Sequence, residues 1–492
     1  MAIYTPNQAL ANYLPDYQLI RTIIQGDRAL KGAGELYVPR LSGQDNNEYN
    51  AMISRPSFEN YTARVLDGLT GLAFSKDAII ELPSSMDKIT EDVSLSELSL
   101  NDFATQLVRE VLTVGRCGML VDMPNNDTTG MSLADVERLN VRPYAKIYNS
   151  ENIINWRYTL VNNVQTLTMV ILSEVSETWT TEYDSTTENI YRVLILRNGV
   201  YQQEVWREGS KDTWVVDTII EPLMNGKKMD FIPFVSVTTD KITLEPSKPP
   251  MLDLAVVNLS HFKISVDFAH GSHYTALPTA FIWGAQLQDG DKITLGSTSA
   301  HVFSDPSGKA EYLEFQGQGL TTLSNEKDVL VNRMASLGAR FLAEDKKVAE
   351  TDSSQQTRSS GERAILIAAV TTISGGITKM LEIMAQWMNI SGNISYKLNK
   401  DYVLTSIDAQ FMKELIVGRQ TNDITPKILY NELVKGEVID PITYTFEDYI
   451  NDKEAQEAAM SIIPTNEPTT NISTKDENNS VISSIRSKLG LK

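Results

Sequence analysis

The pattern that most constrains the fold is a long amphipathic stretch that starts after Pro249-Pro250. Its apolar residues recur alternately every three and four positions, at Leu252, Ala255, Leu259, Phe262, Val266 and Ala269. This spacing predicts an α-helix about 30 Å long with one apolar face. We expect Gly271 to end the helix. The apolar face is too long for a single helical partner, so it requires further packing surface.

The segment after this helix predicts a compact β-like excursion and a return by two more helices. The excursion runs from Pro278 to Phe315 and is rich in β-branched and aromatic residues. The second helix carries Leu320, Leu323, Leu330, Met334, Leu337 and Phe341 on one side. Residues 346–360 are polar and predict a loop, and a third, apolar helix follows from about Gly361 to Asn389. Its Ser374-Gly375-Gly376 predicts a kink or a close backbone approach.

The N-terminal quarter of the chain is predicted to be mostly helical. A helix beginning at Ser57 has its apolar stripe at Tyr61, Val65, Leu69 and Leu72. A second helix, with Asn101 as its expected N-cap, ends at Gly115. A short buried strand, residues 118–122, comes next.

Residues 140–248 change to the period of β-strands. Five runs between turn residues predict an antiparallel meander: 144–156, 166–172, 176–183, 190–196 and 201–207. Asn198-Gly199 between the last two runs is a strong hairpin signal. With the helical segments on either side, the sequence predicts the α+β class.

Composition limits what this chain can bind. Its 44 Lys and Arg against 63 Asp and Glu give a net charge of -19, so tight wrapping of nucleic acid is unfavourable. Hydrophobic residues make up 42%, which is typical of a globular chain. The single cysteine, Cys117, excludes an internal disulfide and suits a reducing compartment. We find no secretory signal and no stretch approaching the ~20 apolar residues that span a bilayer, so we expect an intracellular protein without membrane contact.

No catalytic motif is present, so we predict no catalytic residues, no metal and no cofactor. The chain lacks a nucleotide-binding glycine loop, and Gly115 to Gly118 follows a helix instead of opening one. His270 and His273 lie near Asp267, but the expected helix end at Gly271 disturbs the spacing that a metal needs. We interpret Cys117 as a buried core thiol.

Three segments resemble a known family, the portal proteins of tailed bacteriophages, in its podovirus-type group. They are FENYTARVLDGLTGLAFSK at 58–76, VGRCGMLVDMP at 114–124, and LDLAVVNLSHF at 252–262 with its continuation to Thr279. The order of elements is similar to that family as well. The similarity covers residues 1 to about 460, and the tail after Pro464 resembles nothing in the family.

The resemblance implies a portal-like subunit that assembles as a ring, normally of twelve copies. The implied parts are a helical and β wing at 1–248, a first stem helix at 249–274, a small α/β clip at 275–317, a second stem helix at 318–345, a tunnel loop at 346–360, a wing or tunnel helix at 361–399, a helical crown at 400–463 and a flexible tail at 464–492. Such a subunit is not an enzyme. It resides in the virion at a capsid vertex, after assembly in the host cytoplasm.

The resemblance also implies partners and site residues. The expected partners are other copies of the chain, the major capsid protein, the large terminase subunit, head–tail adaptor or tail proteins, and double-stranded DNA that passes without sequence recognition. We expect the subunit interface at Leu252, Leu259, Phe262 and Val266, partner docking at Phe281, Trp283, Tyr312 and Phe315, and DNA contact at Lys346, Lys347 and Arg358. Two alternatives stay open: another phage structural component, and an acid–base hydrolase with unrecognised carboxylates.

Overall fold

Helices and antiparallel sheets alternate along the chain. The computed structural model describes residues 2–124, 135, 138–210, 213–275, 279–283, 309–313, 318–338, 352–400, 417, 424–435 and 444–452; the side chains of 274–275, 279–283, 310–313, 318 and 352–364 lie outside that description. The chain divides into two compact units, Met1–Lys400 and Asp401–Lys492.

The N-terminal part of the first unit is helical, as predicted. Its helices are α1 (Gln8–Ala11), α2 (Leu14–Gln25), α3 (Asp27–Ala33), α4 (Asn46–Ser54), α5 (Tyr61–Ala73), α6 (Asp87–Glu91) and α7 (Leu100–Val114). Two predicted starts are wrong. Asn60, not Ser57, caps α5 by accepting from the Ala63 N–H, and Ser99, not Asn101, caps α7 by accepting from the Asp102 N–H. Gly115 ends α7 at φ 84, as predicted.

The strands pair only with antiparallel neighbours in the described part of the chain. They are β1 (Ile79–Glu81), β2 (Arg116–Asp122), β3 (Tyr144–Asn149), β4 (Ile153–Val161), β5 (Val164–Trp179), β6 (Ser185–Arg197), β7 (Val200–Glu208), β8 (Trp214–Ile220), β9 (Leu223–Met224), β10 (Lys227–Lys228), β11 (Phe234–Thr238), β12 (Thr279–Trp283), β13 (Lys309–Leu313) and β14 (Ser395–Lys397). The main sheet has the order β4-β5-β6-β7-β8, and a second sheet has the order β11-β2-β3.

The predicted meander is confirmed, with two differences. The runs 166–172 and 176–183 belong to one strand, β5, because no turn residue separates them and β6 pairs along both. The run 144–156 is two strands, β3 and β4, which a 3-10 turn at Ser150–Asn152 divides. At the hairpin between β6 and β7, Asn198 (φ 52) and Gly199 (φ 78) adopt the left-handed conformations that a type I′ turn requires.

Three long helices follow the sheets: α8 (Leu252–Thr275), α9 (Gln318–Ser336) and α10 (Asp352–Trp387). Gly271 does not end α8. A Cβ at Gly271 would lie 3.0 Å from Leu320 Cδ2, so the glycine lets α9 approach α8 closely. The helix α10 begins at Asp352 and not near Gly361, so residues 352–360 are helical and not a loop. Ser, Gln and Arg are tolerated in helices, and their polarity alone does not signal a loop.

The helix α10 is the central core helix of the first unit. Its buried residues include Leu366, Ala369, Val370, Ile373, Ile377, Met380, Leu381 and Met384. Contrary to the sequence expectation, its stretch Ile365–Trp387, 23 residues with a mean hydropathy of 1.3, is long and apolar enough to cross a membrane. A buried core helix has the same composition, and this helix packs against β11 and β2. At Gly376 a Cβ would lie 2.3 Å from Val237 Cγ1, which confirms the predicted close approach.

In the second unit, the described residues form the helix α11 (Pro426–Lys435) and a helical segment at 446–452. Tyr430 joins the two. Its ring packs against Phe446 and Tyr449, with centroids 5.3 Å and 5.7 Å away, and its hydroxyl donates to the Tyr444 carbonyl at 2.8 Å. This aromatic contact fixes the local arrangement of the two helical segments.

Candidate functional site

The helices α8 and α9 pack as an antiparallel pair, and a β-hairpin lies between them in the chain. Gly271, near the end of α8, meets Leu320 at the start of α9, while Lys327 further along α9 lies 5.6 Å from the ring of Phe268. After α8, β12 pairs with β13 in a register that places Phe281 opposite Glu311, and α9 then returns. The sequence predicted this order of long helix, compact β excursion and returning helix.

The predicted interface residues on α8 face the interior of the chain. Leu259, Phe262 and Val266 are 8%, 0% and 1% exposed, and Leu252 is partly covered. The Phe262 ring packs edge-on against Phe58, with centroids 5.6 Å apart. A neighbouring subunit therefore cannot contact these three side chains, and their assignment to a subunit interface is wrong. The apolar stripe was predicted correctly, but its partners are helices of the same chain.

A buried asparagine on α8 fixes this helix to the first turn of α5. Asn258 is fully buried, and its Oδ1 accepts from the backbone N–H of Thr62 at 3.1 Å and from the Thr62 hydroxyl at 3.0 Å. Its Nδ2 donates to the carbonyl of Glu59 at 2.9 Å. The Thr62 N–H belongs to the first turn of α5, where backbone donors lack partners within the helix. Asn258 thus acts as a cap supplied by a distant segment.

Asn60 extends the same junction to α2. While its Oδ1 caps α5, its Nδ2 donates to the carbonyls of Ile23 at 2.8 Å and Ile24 at 3.2 Å, at the end of α2. Two asparagine side chains therefore satisfy the end of α2 and the start of α5 and attach both to α8. These contacts hold the helix pair in one position relative to the N-terminal helices.

The histidines of α8 have structural surroundings. His261 is buried, its ring lies edge-on to Tyr61 with centroids 5.8 Å apart, and burial lowers its pKa, so it is neutral at pH 7. His270 Nδ1 lies 3.2 Å from Arg55 Nη1 at the end of α4, and burial together with the Arg55 charge lowers its pKa. Among the residues that the structure describes, no three His, Cys, Asp or Glu side chains are grouped to hold a metal.

A second polar cluster joins the main sheet to the β11-β2-β3 sheet. The guanidinium of Arg192 on β6 donates to both oxygens of Glu174 on β5, at 3.0 Å and 3.1 Å. It also donates to Gln203 Oε1 at 2.9 Å, and Gln203 Nε2 donates to Asp122 Oδ1 on β2 at 3.0 Å. The Tyr148 hydroxyl on β3 donates to Glu174. The cluster therefore links strands of both sheets.

The two carboxylates in this cluster have opposite pKa shifts. Burial opposes the ionisation of Glu174, but the hydrogen bonds and charge of Arg192 outweigh it and lower the pKa to about 2. Burial raises the pKa of Asp122. Such a pair is what the hydrolase alternative requires. However, Arg192, Tyr148 and Lys146 all bind Glu174, so its oxygens are occupied by the chain itself and it acts as a structural anion.

A buried arginine, Arg116 at the start of β2, is a third polar anchor. It is fully buried and donates to Ser150 Oγ and to the carbonyls of Leu244, Ser150 and Ile153 at 2.6–3.0 Å. Its guanidinium lies 4.8 Å from the Trp156 ring centroid, and burial lowers its pKa to about 10, so it stays charged at pH 7. The neighbouring Cys117 is fully buried, as predicted, and burial raises its pKa.

The remaining predicted site residues fall at the limits of the described chain. Phe281 and Trp283 lie on β12 and Tyr312 lies on β13, with side chains outside the description. Phe315, Lys346 and Lys347 lie outside the described residues. Arg358 is part of α10, and its side chain is outside the description. The structure therefore does not bring these predicted residues together into one described site.

Comparison with known proteins gives one family match and several similar structures. The model of a domain of unknown function (DUF4055) matches residues 250–388, the stretch from α8 through α10. A chain in the virion of a native gene transfer agent particle is 10% identical, with 95% of this chain and 99% of that chain covered and a TM-score of 0.35. A chain in the neck of an empty gene transfer agent particle is also 10% identical, with 81% and 94% covered and a TM-score of 0.37. No curated protein matches the chain.

Proposed function

We propose that this protein is the subunit of a phage portal: a ring at one capsid vertex through which DNA is packaged and ejected. The observation that carries the proposal is the antiparallel pair α8–α9 with the β12–β13 hairpin between its helices. The sequence resemblance assigns these elements to stem and clip. The structure adds the rigid attachment of α8 to the N-terminal helices through Asn258.

The contacts between stem helices of neighbouring subunits must use the outward faces of the pair. Val256 on α8 is 45% exposed and Val329 on α9 is 63% exposed, whereas Phe262 is fully covered. An outward apolar side chain beside polar residues suits a heterologous contact, in which one surface meets a different surface of the next copy. Successive contacts of this kind close a ring when the rotation between copies allows it.

The proposed channel function relies on charge. With a net charge of -19, the ring has few cations to bind phosphates, so DNA slides with little retention. Lys346, Lys347 and Arg358 are our proposed transient DNA contacts. They are cations that touch the backbone without reading bases, so the contacts are independent of sequence.

The proposed partners dock at the clip, residues 275–317. Phe281, Trp283, Tyr312 and Phe315 are aromatic, and aromatic residues are enriched in protein interfaces. In this proposal the terminase large subunit docks there during packaging and the adaptor or tail protein afterwards. The major capsid protein surrounds the ring at the vertex. The chain itself performs no catalysis in this role.

Light scattering of the purified full-length chain tests the proposal. A portal subunit gives one closed species with a mass near twelve times 54.8 kDa, or another fixed multiple that denotes a ring. A hydrolase or an isolated binding module gives a monomer or small oligomer. A monomeric mass across the whole accessible concentration range contradicts the proposed function.

A further inference from the structure

The main sheet has uncharged apolar patches at both of its edges. At the first edge, the hairpin tip between β4 and β5 exposes Leu160, Val161 and Val164 by 73%, 43% and 63%. At the opposite edge, β8 exposes Val215, Val216 and Ile219 by 50%, 39% and 58%. We call these the hairpin-tip patch and the β8 patch. Exposed apolar residues grouped on an edge strand mark an interaction surface.

The charge around the two patches distinguishes them from the rest of the molecule. No Lys, Arg, Asp or Glu occurs between Arg157 and Glu174, the segment that contains the hairpin-tip patch. The one charged residue of β8 is Asp217, and Arg207 Nε binds its carboxylate at 3.1 Å. In a chain with a net charge of -19, these surfaces can meet another copy without like-charge repulsion.

Both strand edges are open in the described structure. Among the described strands, β4 pairs only with β5 and β8 pairs only with β7. The Asn7 N–H donates to the Ile154 carbonyl at 2.7 Å and covers the beginning of β4, so its outer half remains open. Natural proteins protect an exposed edge with lysine, proline or a covering element, and β8 has neither lysine nor proline.

We propose that the hairpin-tip patch of one subunit docks against the β8 patch of a second copy of this chain. Two different surfaces at opposite edges of one sheet make a head-to-tail contact, which closes into a ring. Neither patch reaches the ~800 Å² per partner of a stable interface, so the contact adds to that of the stem helices. This inference rests on the proposed ring and assigns one of its subunit interfaces.

Engineered cysteine pairs test this contact. Cys117 is fully buried, so the natural cysteine does not interfere. Each double variant carries one cysteine in the hairpin-tip patch (Leu160→Cys, Val161→Cys or Val164→Cys) and one in the β8 patch (Val215→Cys, Val216→Cys or Ile219→Cys). Four strand spacings of ~4.8 Å separate the two edges within one chain, well beyond the ~4.4–6.8 Å between Cα atoms of a disulfide. A cross-link therefore joins two copies.

The inference expects at least one pair to give a ladder of covalent multimers on a non-reducing gel, which collapses with reductant. The single variants expected from a head-to-tail contact give no covalent dimers. Dimers formed by a β8 single variant alone would show two-fold pairing of β8 and overturn the head-to-tail contact. Rings seen by light scattering without a ladder from any pair overturn this interface and leave the proposed function standing. Monomers throughout overturn both.

A charge substitution gives a second, independent readout. Ile219→Lys places a charge in the contact and should lower ring yield by at least about tenfold, since burying an unpaired charge is strongly unfavourable. Leu36→Lys is the matched control, because Leu36 is 62% exposed and lies outside both patches. Both variants should keep the wild-type free energy of unfolding of the monomer. Equal ring yields from the two variants overturn the β8 contact.

Discussion

Asn258 on α8 and Thr62 on α5 are joined by two hydrogen bonds to one oxygen, although 196 residues separate them in sequence. Replacing the side chain by Asn258→Leu leaves the Thr62 N–H and the Glu59 carbonyl buried without partners. We expect a loss of about 3 kcal/mol in the free energy of unfolding, because each such group costs roughly 1–3 kcal/mol. Urea denaturation measures the change.

Ser260→Ala is the control for this prediction. The Ser260 hydroxyl is exposed and bonds only within its own helix, to the Val256 carbonyl, so its loss should change stability by less than about 0.5 kcal/mol. Equal effects of the two substitutions would show that Asn258 does not hold α8 to α5.

Arg116 should be intolerant of replacement, because it satisfies three buried carbonyls. We expect Arg116→Met to lower the free energy of unfolding by at least about 3 kcal/mol. Arg116→Lys should recover only part of the loss, since an ammonium lacks the planar fork of donors. Arg138→Met is the control, because that side chain is 76% exposed and its change should be near zero. Thermal or urea unfolding of the three variants distinguishes the outcomes.

The carboxylates Glu174 and Asp122 should affect stability with opposite signs. The pKa of Glu174 in the folded protein, about 2, lies below its unfolded value, so its contribution is present above pH ~4.5 and is lost as the pH falls toward 2. A shift of this size corresponds to about 3 kcal/mol. Glu174→Gln should therefore destabilise the protein at pH 7 and remove this part of the acid dependence.

Burial raises the pKa of Asp122, so the stability that this group contributes below its unfolded pKa is lost as the pH rises through its folded value. Asp122→Asn keeps an oxygen for Gln203 and removes the charge, so it should raise the free energy of unfolding at pH 7. Unfolding curves of both variants at pH 7 and pH 3 measure the effects. Destabilisation of similar size by both variants at pH 7 would contradict the assignment.

Two helical glycines should respond in opposite directions to the same substitution. Gly376→Ala places a Cβ 2.3 Å from Val237 Cγ1, and overpacking of this kind costs roughly 1–3 kcal/mol. Gly71→Ala meets nothing within 4 Å and should stabilise α5 by about 0.5–1 kcal/mol. Urea unfolding of the two variants decides the matter, and a stabilising Gly376→Ala would refute the close packing of α10 on β11.

The elements that the sequence predicted well are those with a repeating apolar pattern. The stripe from Leu259 to Val266 and the hairpin at Asn198-Gly199 were found because periodicity and turn chemistry are local properties. The same stripe did not show which partner it packs against. Burial of Phe262 against Phe58 depends on residues about 200 positions apart, which one sequence cannot reveal.

The errors have local physical causes. Gly271 looks like a helix end because glycine often terminates helices, yet here it provides space for Leu320. Residues 352–360 look like a loop because they are polar, although polar side chains are compatible with a helix. Asn258 was missed because a single asparagine among apolar residues gives no sign that it caps a distant helix. A buried polar residue on the apolar face of a predicted helix is the signal that would have drawn attention to it.

The central claim is that copies of this chain close into a ring around a channel, and negative-stain images of the purified full-length protein test it most directly. The account predicts particles with rotational symmetry and a central hole in end views. A field of separate monomers, or compact oligomers without a hole at every concentration, would contradict it.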